Sequence, residues 1–86
     1  MNENVLVFRS VTYAQRASRA LQRKEISNWV IRVPPELTKS GCGYAVRIRA
    51  RQLAAALQTL EWFALRPLAV FGMDENGYYE VNHDLS

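Results

Sequence analysis

Short runs of strand formers alternate with two helical stretches along this chain, in the order β-α-β-β-α-β, and that order leaves few ways to fold. The first run, Val5-Leu6-Val7-Phe8, is apolar at every position, as in a central strand. Ser10 follows as a helix N-cap, and Val11 to Lys24 contains neither glycine nor proline. Ala14, Ala17 and Leu21 mark one face of that helix, and Arg16, Arg19 and Arg23 a plain solvated face opposite. Trp29 to Val33 reads as a second strand, closed by Pro34-Pro35 because neither proline can donate a ladder hydrogen bond. After a loop rich in turn formers, Tyr44 to Arg49 alternates as a third strand. Leu53, Ala56, Leu57, Leu60 and Ala64 predict a second helix over 50–64, with Pro67 at its exit. Leu68 to Phe71 reads as a fourth strand, and the Asn76-Gly77 turn signal lets Tyr78 to Val81 return as a fifth, edge strand.

With only 86 residues there is room for one core, so a single domain over 1–86 is expected. The economical packing is α+β: a ferredoxin-like βαββαβ plait, with two helices on one face of an antiparallel sheet. The right-handed crossover rule places strand one between strands three and four. Alternation assigns Trp29, Ile31, Val33, Tyr44, Val46 and Ile48 to the core parity. It leaves Arg32, Arg47 and Arg49, with Val30 and Ala45, on an open sheet face.

Eleven basic against eight acidic residues give a net charge of +3, which permits anion contacts without demanding them. Nine of the basic residues are arginine; the lysines are Lys24 and Lys39. With no aromatic pair on the open face, nucleic-acid binding is not expected. No apolar run approaches a membrane span, and the first residues lack a signal-peptide pattern, so the expected location is cytoplasmic. One cysteine, Cys42, cannot form an internal disulfide, and with His83 as the one histidine no zinc ligand set exists. No metal or organic cofactor is expected.

The concentrated chemical signal is Ser40-Gly41-Cys42-Gly43 at the mouth of strand three. Glycines on both sides leave a thiol open and let backbone amides turn towards it. Lys39, three residues away, and Arg47 add positive charge that favours thiolate, the form that attacks sulfur or selenium donors. The competing reading is that Cys42 is a small buried hydrophobe.

Val5-Leu6-Val7-Phe8-Arg9-Ser10, a helix carrying Ala14 and Leu21, an apolar strand ending in Pro34, and Ser40-Gly41-Cys42-Gly43-Tyr44-Ala45-Val46-Arg47 together resemble the selenium/sulfur carrier-like family of small bacterial proteins. The resemblance covers about residues 4–71 and leaves 72–86 as a hairpin and tail extension. It implies that Cys42 is the carrier thiol, and that Ser10 and the Pro34 loop form its surroundings. The chain departs from the family pattern at Pro35, where an arginine is common. The expected function is a carrier or relay rather than an independent enzyme. It would hold a persulfide or perselenide between a donor and an acceptor protein. The alternative is a binding or regulatory module whose basic sheet face dimerises or binds an anionic ligand.

Overall fold

A computed structural model describes residues 3–37 and 43–81. It contains β1 (Glu3–Phe8), α1 (Val11–Arg23), β2 (Asn28–Arg32), β3 (Tyr44–Arg49), α2 (Leu53–Trp62), β4 (Ala69–Asp74) and β5 (Gly77–Glu80). Single 3-10 turns precede β3 and α2, at Pro35–Leu37 and Ala50–Gln52. The strands form one antiparallel sheet in the order β2-β3-β1-β4-β5. Strand one therefore lies between strands three and four. The architecture is α+β and consistent with a ferredoxin-like plait to which β5 adds an edge.

Both helices supply side chains to one core. Leu6, Phe8, Val46, Ile48 and Val70 from the sheet bury against Ala14, Ala17, Leu21, Ala56 and Leu60. The alanines let α1 approach the strands closely, while Leu21 and Leu60 fill the remaining space. A polar pin fixes α1 to β2. The Ser18 hydroxyl donates to Asn28 Oδ1, and Asn28 Nδ2 donates to the Ile26 carbonyl at 2.9 Å.

The two helices end alike. After α1, the Glu25 and Ile26 amides donate back to Gln22 and Leu21; after α2, those of Ala64 and Leu65 donate to Glu61 and Leu60. These are Schellman closures, with an apolar residue following the turn. The left-handed position that glycine usually takes is held by Glu25 (φ 59°) and Ala64 (φ 58°). α2 consequently stops at Trp62, short of the predicted end, and Ala64 lies outside it, exposed.

The second sheet face corrects the parity reading. Directly opposed residues in antiparallel strands share a face, and the register sets Trp29 against Arg47 and Ile31 against Ala45. Trp29, Ile31 and Val33 therefore join Arg47 and Arg49, while Val30 and Arg32 fall on the helix side, opposite Val46 and Tyr44. β2 is an edge strand beyond full helix cover, and Val30 remains 40% exposed there. Its more apolar parity instead serves a second cluster, in which Val5, Val33 and Ala45 are buried beneath Ile31, Phe71, Tyr78 and Leu37 from the 3-10 turn. The face is thus apolar at its centre.

Candidate functional site

Three of the expected site residues meet at one end of the sheet. β1 ends at Phe8, whose register partner is Tyr44, the first residue of β3. Ser10 lies two residues further on, where its hydroxyl accepts from the Tyr13 amide at 3.3 Å and its carbonyl from Ala14 at 3.0 Å. The N-terminus of α1, with its partial positive charge, therefore opens beside the start of β3. β2 leaves the sheet at the same end: the Val33 amide donates to the Gly43 carbonyl at 3.2 Å, and Pro34 follows.

Gly43 has a structural reason to be glycine. Its φ is +138°, outside the range of ordinary L-residues, and an added Cβ would lie 3.3 Å from Val33 Cγ2. Lys39, Ser40, Gly41 and Cys42 lie outside the described residues.

Arg47 is not at this end. It sits four positions along β3 from Gly43, about 13 Å at strand rise. Its guanidinium lies over Trp29, 5.2 Å from the ring centroid, and its Nε reaches Glu3 Oε1 at 3.5 Å. That separation makes an ion pair but not a hydrogen bond, so Nε is screened from water without a hydrogen-bond partner. Arg49 also covers Trp29, at 5.7 Å, while Arg32 faces the other way. The three strand arginines therefore do not form one basic patch. The expectation that they did fails because β2 presents its opposite parity to that face.

The same sheet end carries a cavity that sequence reading missed. About 300 Å³ is enclosed by Phe8, Arg9, Tyr13, Leu65, Arg66 and Leu68. Arg9 lies over Tyr13 at 5.0 Å. Arg9 and Arg66 are distant in sequence, and neither is singled out as a candidate site residue by the sequence. The signal that could have found them is positional: one follows β1, the other precedes β4, and those strands are neighbours. Among the described residues no cluster of His, Cys, Asp and Glu could hold a metal ion, and no helix is long and apolar enough to cross a membrane.

Compared with known families, residues 3–71 match the family described as "putative Se/S carrier protein-like". Comparison with curated proteins and with solved structures returns no match.

Proposed function

The chain belongs to the Se/S carrier protein-like family, and on that premise we propose that it holds sulfur or selenium on Cys42 and passes it between partner proteins. The observation that carries this reading is the meeting of Ser10, Val33-Pro34 and Gly43 at one sheet end, because Gly43 is the chain neighbour of Cys42. A helix N-terminus at that end favours an anion, which supports a thiolate in preference to a thiol. Lys39 adds charge from the same loop. Arg47, held by Glu3 and Trp29, has no part in this account.

The chemistry is sulfane transfer. The Cys42 thiolate attacks the terminal sulfur of a donor persulfide, R–S–SH. The donor S–S bond breaks, its inner sulfur leaves as RS⁻, and Cys42 becomes the persulfide. An acceptor thiolate then attacks that terminal sulfur and releases the Cys42 thiolate. Oxidation levels and charge balance at each step, so no metal or organic cofactor is required. The chain acts as carrier, and catalysis belongs to its partners, in a location that this reading takes as cytoplasmic.

The test is to incubate the folded protein with a low-molecular-weight persulfide donor and measure intact mass. The reading expects one added sulfur, removable by dithiothreitol and absent from Cys42→Ser. Equal loading of Cys42→Ser, or no loading of the folded wild type, overturns it.

A further inference from the structure

The arginines of α1 form one wall of a groove. Arg16, Arg19, Arg23, Ala20, Phe63 and Leu65 enclose about 270 Å³ between α1 and the end of α2. Leu65 also lines the cavity that holds Arg9 and Arg66, so the two hollows adjoin. Tyr13 links them from the other side, with Arg9 and Arg16 over its ring at 5.0 and 5.9 Å. Five arginines thus line a continuous surface. Among the described residues none of the five has a carboxylate within 4.0 Å. Like charges gathered without counter-charges create a positive potential that attracts an anionic partner. Trp62, the chain neighbour of Phe63, is 84% exposed, the most exposed of the large apolar side chains described.

We infer that this groove docks a short acidic segment of a partner protein that also carries apolar side chains. The charge fixes the sign of the occupant. Guanidinium forks suit carboxylates, and the apolar floor of Phe63 and Leu65 between the arginines suits side chains rather than a small ion. From Arg16 to Arg23 is about 10 Å along the helix, a span covered by roughly three extended residues. A single-stranded nucleic acid also supplies charge, but it stacks successive bases on several free aromatic faces, and of Tyr13, Trp62 and Phe63 only Trp62 is freely exposed. Tyr13 already has guanidinium groups over its ring, and Phe63 faces into the hollow. This inference does not rest on the carrier reading.

The test is fluorescence anisotropy with a labelled peptide of repeated Glu-Glu-Leu-Phe. The comparison probes are the same peptide with glycine for Leu and Phe, and an oligouridylate of equal charge. The docking groove predicts saturable binding of the first peptide, at least about tenfold tighter than either comparison probe. Arg16→Glu/Arg19→Glu/Arg23→Glu, whose side chains are exposed, should weaken it by more than about tenfold with an unchanged circular dichroism spectrum. Phe63→Ala should weaken it without changing its salt dependence, and Cys42→Ser should bind as wild type does. Chemical-shift mapping on the unmodified protein should move the amides of 16–23 and 63–65. Absence of saturable peptide binding, tighter binding of the oligouridylate, or shifts confined to the sheet overturns the inference.

Discussion

Replacing Ala64 by glycine should stabilise the protein. Ala64 is exposed and closes α2 at φ 58°, so its methyl group contributes left-handed strain and little packing. That conformation costs a residue with a Cβ roughly 1–2 kcal/mol. Glycine removes the strain but gives back about 0.5–1 kcal/mol through the greater freedom of its unfolded chain. The net gain is about 0.7 kcal/mol. Unfolding entropy of about 2.1 cal/mol/K per residue gives a chain of this length about 180 cal/mol/K, so Tm should rise about 4 °C. Thermal denaturation followed by circular dichroism reads this directly. Ala64→Val is the control: a β-branched side chain is worse still at positive φ and should lower Tm. An Ala64→Gly protein that melts at or below the wild-type temperature refutes the assignment of strain to this turn.

Two further perturbations probe other joints. Ser10→Ala removes the hydroxyl that accepts from the Tyr13 amide, and should cost about 1 kcal/mol, seen as a lower urea midpoint with an unchanged m-value. Gly72→Ala places a Cβ 2.5 Å from Tyr79 Cζ, so the Tyr79 ring must move off β4. Its cost in a chemical melt should shrink in a Tyr79→Ala background, and an equal cost in both backgrounds would contradict the contact.

The parts of the fold written in local pattern were legible. β3 keeps the bounds that alternation assigns, and β1, apolar from Val5 to Phe8, is the central strand with a buried face on each side. The faces of β2 were not legible, because Trp29, Ile31 and Val33 look like a helix-facing set until the register with β3 is known. Thr59 shows a different limit. It is polar yet buried on α2, because its hydroxyl donates to the Ala55 carbonyl at 2.8 Å. The layout of the proposed site residues was not legible. Ser10, Pro34 and Gly43 gather because β1 ends where β3 begins, a consequence of strand order. Arg47 is separated from them by strand rise alone. The arginine groove depends on how α1 meets the end of α2, and a solvated stripe on one helix carries no sign of it.

The central claim rests on Cys42, and its alkylation rate as a function of pH, measured on the folded protein with mass detection, tests it most directly. The carrier account predicts fast modification with a midpoint clearly below about 8.5, the value of an unperturbed thiol. A thiol that reacts only after unfolding, or one with a midpoint at or above that value, would contradict it.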